Sequence, residues 1–310
     1  MGVGEKKDEK SHYLASQAPT PWHGIILNII ASVGCVMANK YLWERFDFQF
    51  MISLTVLHLL FSSLVVRGMG YYGFYSHPKV SMWTTAPLAC LSVGSITFMN
   101  LNLGHNSVGF YQMSKIMCIP ATLVMQYSLF GVSVSFRMLM ALTVLMFGVG
   151  VATVTDVQLN VIGSIYALIA IGITVSSQIM TNYMQSSLKL DHMQLLGNVL
   201  PVMAFLALLA VPLFEDPQVL IMVDWPPMCY FYIILSCCFA CLVNISNYLV
   251  IGQTSPVTYQ VVGHFKTITI IALGFWLFAY QLVPRNLIGI AFALAGVVLY
   301  SEMKRRDNAK

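Results

Sequence analysis

The chain has 310 residues, of which 58% are hydrophobic and only 9% charged, with a formal net charge of +4 and a mean hydropathy of +0.75. Soluble domains carry about 25% charged residues. The composition therefore excludes a soluble domain and leaves a membrane protein, whose partners begin with the lipid bilayer and are not expected to include nucleic acid.

In chain order, residues 1–22 form a polar tail of mixed charge, "MGVGEKKDEKSHYLASQAPTPW". It has no apolar core of the kind a cleaved signal peptide needs, and acids without arginine do not suit an organellar transit peptide. Ten apolar segments follow, at roughly 23–43, 50–70, 81–103, 107–130, 136–155, 159–185, 193–214, 228–251, 255–280 and 285–303. Each is close to the length of about 20 residues that spans a bilayer as a helix. None shows the alternating pattern of a membrane strand. A basic tail, 304–310, ends the chain. The expectation is an all-α membrane protein of ten transmembrane helices.

Charge sets the orientation. With the N-terminus in the cytosol, cytosolic segments hold Lys6, Lys7, Lys10, Arg67, Lys79, Arg137, Lys189, Lys304, Arg305, Arg306 and Lys310, and the opposite side holds Arg45 and Arg285. The positive-inside rule then places both termini in the cytosol. Three lysines are left over. Lys40 lies near the end of its span, within reach of the interface. Lys115 and Lys266 lie well inside theirs, and all twelve acids fall in tails, loops or helix ends. A charge at the bilayer centre costs at least ~3 kcal/mol. Two such lysines suit a wet cavity that receives a mobile anion; the alternative is neutral lysines bonded to backbone carbonyls.

The chain also repeats. "GHNSVGFYQ", from Gly104, and "GQTSPVTYQ", from Gly252, share Gly, Ser, Tyr and Gln at an offset of 148 residues. The same offset carries Leu129-Phe130 onto Leu277-Phe278, Arg137 onto Arg285 and Gly148 onto Gly296. Five helices per repeat is an odd number, so the repeats, 23–155 and 159–303, enter the membrane in opposite senses. Inverted repeats around a midplane site are the architecture of secondary transporters. Lys115 and Lys266 sit on corresponding helices, although Lys115 maps onto Gly263, three residues away.

Other motifs carry less. Cys238-x-x-Cys241 lies in an apolar helix without a neighbouring histidine and reads as packing. Asn244-Ile-Ser246 matches a glycosylation sequon but lies inside a span. Glu215-Asp216 reads as a solvated turn. No acidic cluster, metal cage or G-x-x-x-x-G-K-[ST] motif is present, so neither a cofactor nor hydrolysis-driven pumping nor a metal-dependent membrane transferase is expected, and the protein reads as no enzyme.

"MANKYL", "NSVGFYQMSK", "GVGVATVTDVQLNVIGS" and "TSPVTYQVVGHFKT" resemble the nucleotide-sugar and triose-phosphate translocators of the drug/metabolite transporter superfamily, and within them the plant UDP-sugar branch. The resemblance runs from about residue 24 to 302. It implies exchange of a UDP-sugar (UDP-galactose, UDP-rhamnose or UDP-xylose) for the nucleoside monophosphate UMP across the Golgi membrane or that of the endoplasmic reticulum. Lys115 and Lys266 would clamp the phosphates. Thr267 stands where plastid phosphate translocators carry arginine, which weakens a triose-phosphate reading because a bidentate fork is lost. Guanine-recognising relatives carry paired asparagines where Asn198 stands alone here, which weakens a GDP-sugar reading. Tyr111 with Gln112 and Tyr259 with Gln260 fit either substrate hydrogen bonds or helix stitching. Asn244, Asn39 and Lys40 are further candidate contacts, and His264, on the far side of its helix from Lys266, reads as packing. The sugar and any homo-oligomeric state are left open.

Overall fold

The computed structural model describes residues 22–76, 78–106, 108–153, 160–216, 218, 222–278 and 284–308, with the side chains at 104, 108, 109, 214, 270–278 and 308 outside that description. The polar tail before residue 22, Ser107, the stretch around Asp156 between the two expected repeats, and Lys310 thus lie outside the described residues. Among the described residues, ten long helices are seen: α1 (Trp22–Phe46), α2 (Met51–Tyr71), α3 (Met82–His105), α4 (Val108–Phe130), α5 (Phe136–Thr153), α6 (Val161–Ser187), α7 (His192–Phe214), α8 (Pro227–Gln253), α9 (Pro256–Phe278) and α10 (Pro284–Asn308). No strand occurs among the described residues. Eight of the ten helices are, among the described residues, long and apolar enough to cross a membrane. The other two, α4 and α9, carry Lys115 and Lys266.

Helix is the form in which a single segment satisfies its own backbone in hydrocarbon. Local signals place the ends. Pro227, Pro256 and Pro284 open α8, α9 and α10, where a missing N–H is harmless and φ is already helical. Asp191 and Gln194 form a capping box on α7. Gly131, at φ 62°, follows the last residue of α4, and its N–H bonds to Tyr127 O at 2.8 Å; a left-handed residue here favours glycine. Glu215 corrects the expectation of a solvated turn. Its carboxylate accepts from the N–H groups of Ile52 (2.6 Å) and Ser53 (2.9 Å) and from the Ser53 hydroxyl (2.6 Å). Phe50, the N-cap residue of α2, has no capping side chain of its own, so an acid from the end of α7 caps α2 instead.

The helices group into two compact units. Of the described residues, those within 94–179 and 255–308 make the first, and those within 22–93 and 180–254 make the second. Each draws helices from both halves of the sequence, with α3 and α6 divided between them. In the second unit, Leu195, Leu196 and Leu200 of α7 pack with Leu59 and Val66 of α2 and Leu88 of α3. In the first, Leu142, Leu145 and Val149 of α5 pack with Ala293 and Tyr300 of α10 and Ile119 of α4. Large apolar side chains such as Leu64, Leu168 and Val298 point outward and are exposed, as lipid contact requires.

Helices in lipid gain from close contact of small residues rather than from burial out of water. The α5–α10 crossing uses this fully. A Cβ on Gly148 would lie 2.2 Å from Ala293 N, and one on Gly296 would lie 2.5 Å from Leu145 Cα. These two contacts exchange under the offset of 148: Gly148 maps onto Gly296 and Leu145 onto Ala293. Gly289 adds a third close approach, to Ala152 N at 2.3 Å.

Gly148→Val is expected to separate α5 from α10 and destabilise the protein by about 1–3 kcal/mol or more, read as a lowered thermal midpoint in detergent. Gly68→Ala, with nothing within 4 Å of the new methyl, is the control and is expected to hold or raise the midpoint. An unchanged midpoint for Gly148→Val would contradict the backbone contact.

Candidate functional site

The two inner lysines belong to the same compact unit. Lys115 lies two turns into α4, and its Nζ is 4.5 Å from the ring centroid of Tyr111, one turn earlier. Lys266 lies near the middle of α9, and its Nζ is 5.3 Å from the ring centroid of Tyr259, two turns earlier. Tyr111 and Tyr259 are the tyrosines that the 148-residue offset superimposes. Both lysines are half-buried. A ring face steadies an ammonium through its quadrupole, by roughly 1–2 kcal/mol as the site dries.

Around this pair, the other predicted residues of the unit have definite partners. The Thr267 hydroxyl donates back to Gly263 O at 3.2 Å. Gln112 is half-buried. Gln260 is buried, and its Nε2 donates to Thr122 Oγ1 of α4 and to Gln178 Oε1 of α6. His264 is buried, at 6% exposure, in keeping with a packing residue. Thr122 and Gln178 were not singled out from the sequence. The signal for Thr122 was available: it lies seven residues after Lys115, which returns a helix to nearly the same face.

The second unit holds Asn39, Lys40, Asn198 and Asn244, each in a polar contact of its own. Lys40 pairs with Glu44 at 3.5 Å, one turn on, the interfacial arrangement open to a lysine near a helix end. Ser236 donates to Asn39 Oδ1. With its proton so committed, Ser236 receives from His58, whose Nε2 is 2.8 Å away. Asn244 Nδ2 donates to Ser62 Oγ at 3.1 Å. Asn198 donates to Gln194 O and Pro78 O and accepts from Val80 N, at 2.8, 3.1 and 3.3 Å. It therefore ties the segment before α3 to α7. Asn28, fully buried, donates to Ser246 Oγ at 2.8 Å and Asn247 Oδ1 at 2.7 Å. This link between α1 and α8 was also missed, although a lone asparagine in "IILNII" marks it. Among the described residues, no three His, Cys, Asp or Glu side chains gather as a metal site.

The fold has a counterpart among solved structures: one crystal structure superposes with a TM-score of 0.72, over 91% of this chain and 96% of that chain, at 14% identity. Sequence relatives are nearer. UDP-xylose transporter 2 of Arabidopsis thaliana is 38% identical over 278 residues, covering 89% of this chain and 79% of that protein. UDP-rhamnose/UDP-galactose transporter 3 of the same plant is 36% identical over 280 residues, covering 89% of this chain and 80% of that protein. Residues 25–301 match the Triose-phosphate Transporter family, and the chain belongs to that family.

Proposed function

We propose that the protein is a nucleotide-sugar antiporter of the Golgi membrane, exchanging a cytosolic UDP-sugar for lumenal UMP by alternating access. The observation that carries this reading is the pair Lys115 and Lys266, held in one compact unit, each over a tyrosine ring. The kinship with plant proteins named as UDP-xylose and UDP-rhamnose/UDP-galactose transporters supports the same substrate class. Thr267 beside Lys266 offers no guanidinium fork, so the site suits a diphosphate bridged by two ammoniums better than a single phosphate gripped at two points.

All ten helices are proposed to span the bilayer, as two inverted five-helix repeats with both termini cytosolic. The reciprocal contacts of Gly148 with Ala293 and of Gly296 with Leu145 support that symmetry, and the excess of Lys and Arg on one side supports the orientation. In the cycle, the substrate's phosphates enter between Lys115 and Lys266 and neutralise them, and the repeats then rock to open the other side. Return with an empty site would carry two ammoniums through a drier state, at ~3 kcal/mol or more each. UMP supplies the compensating charge on the way back.

Purified protein in liposomes preloaded with UMP, offered UDP-xylose, UDP-galactose, UDP-rhamnose, UDP-glucuronate, GDP-mannose and triose phosphate, is expected to take up one or more UDP-sugars. Uptake of triose phosphate alone, or of nothing, would contradict the reading. Lys115→Ala and Lys266→Ala are each expected to lower uptake of every accepted nucleotide sugar by about 100-fold or more, the effect of removing one partner of a buried charge contact. Normal exchange by Lys266→Ala would exclude the phosphate role.

A further inference from the structure

A different chemistry is found two turns beyond Lys115 on α4. Thr122 is fully buried, and its hydroxyl donates to Cys118 O at 2.7 Å. A threonine hydroxyl has one proton. With that proton committed to its own helix, Thr122 can only receive at its contact with Gln260. This fixes the orientation of the Gln260 amide: Nε2 faces Thr122, and the same nitrogen also reaches Gln178 Oε1, at 2.9 Å. Both N–H groups of the amide are thereby engaged. The carbonyl oxygen is turned the other way, and Gln260 Oε1 is a buried acceptor with no hydrogen-bond partner among the described residues.

Asn106 Oδ1 and Asn182 Oδ1 are likewise without a partner among the described residues, but neither lies on a helix that carries an inner lysine, as Gln260 does. An unsatisfied buried polar atom costs about 1–3 kcal/mol, so a group that supplies a proton to it on binding gains that amount. The location points to that group. Seven residues of α-helix separate Thr122 from Lys115, so the Gln260 amide meets α4 on the lysine-bearing face about 10 Å along the axis from Lys115. This offset suits a group of the substrate beyond its phosphates.

We infer that Gln260 is a specificity-determining residue whose Oε1 accepts a hydrogen bond from a neutral donor of the transported nucleotide sugar, an imide N–H or a hydroxyl, and that it does not bind phosphate. The inference rests on the nucleotide-sugar reading above and narrows it. A phosphate dianion offers lone pairs and no proton, so a bare carbonyl oxygen repels it. A substrate that lacks the donor leaves Oε1 unpaired in the loaded site and is rejected. One rich in donors around its base and sugars satisfies it. Gln112, the residue that the repeat offset pairs with Gln260, is half-buried, so the two halves are not equivalent in this respect.

The test uses the full chain in UMP-preloaded liposomes and compares matched pairs of competitors. UMP against N3-methyl-UMP removes the imide proton. UMP against 2′-deoxy-UMP removes a ribose hydroxyl. UDP-galactose against its 2-deoxygalactose counterpart removes a sugar hydroxyl. In the wild-type protein, one of these pairs is expected to differ at least tenfold in inhibition, and the pair that does so identifies the donor. In Gln260→Met, which keeps the length and loses the acceptor, the same pair is expected to differ less than twofold. Discrimination that survives in Gln260→Met would overturn the inference and leave Gln260 a stitching residue. Should that variant fail to fold, the wild-type pairs decide alone: less than twofold difference in all three overturns it. Failure of the underlying reading looks different, since the wild-type protein would then take up no nucleotide sugar.

Discussion

The structure is organised by the cost of an ammonium in hydrocarbon. Nine-tenths of the sequence avoids charge, and its helices satisfy their own backbones, yet α4 and α9 each carry one lysine well inside the chain's apolar segments. Tyrosine rings lie under both Nζ groups. Polar residues continue along α4, through Thr122 to the buried Gln126. Residues of α4 and α9 pack in one apolar cluster with those of α5 and α10. In the proposed exchange, a substrate anion would remove that cost, and the difference between empty and loaded states would couple movement to occupancy.

The scaffold itself is built from the smallest residues. At the α5–α10 crossing, Gly148, Gly289 and Gly296 let backbones touch, which gives dispersion contact where lipid offers no hydrophobic drive. In the second unit, the work is done by hydrogen bonds instead: Asn28 to Ser246 and Asn247, Asn182 to Ile251 O, and Gln185 to Tyr248 O. Gly252 leaves the room that Gln185 occupies, since a Cβ there would lie 1.7 Å from Gln185 Oε1.

Most of the helical layout was legible in the sequence because the bilayer imposes a length and a composition on each segment. The expected span at 136–155 and the observed α5, Phe136–Thr153, illustrate this. The lysines were legible for the same reason, as violations of that composition. What was not legible depends on contacts distant in sequence. Glu215 looked like an acid in a turn, and only the fold shows that it caps α2, 162 and 163 residues away. Thr122 and Gln178 have ordinary residue types for a membrane helix, and only the fold shows that both are met by Gln260, 138 and 82 residues away. The division into two compact units, each mixing helices of both halves, follows no boundary that composition marks.

Comparison of empty and UMP-loaded liposomes tests the central claim most directly. If the two ammoniums must be neutralised for the site to return, entry of UDP-sugar into empty liposomes falls far below entry into loaded ones, by at least tenfold, and internal UMP restores it. Equal initial rates in empty and loaded liposomes would show that the unoccupied lysine pair crosses freely, and the account of exchange would fail.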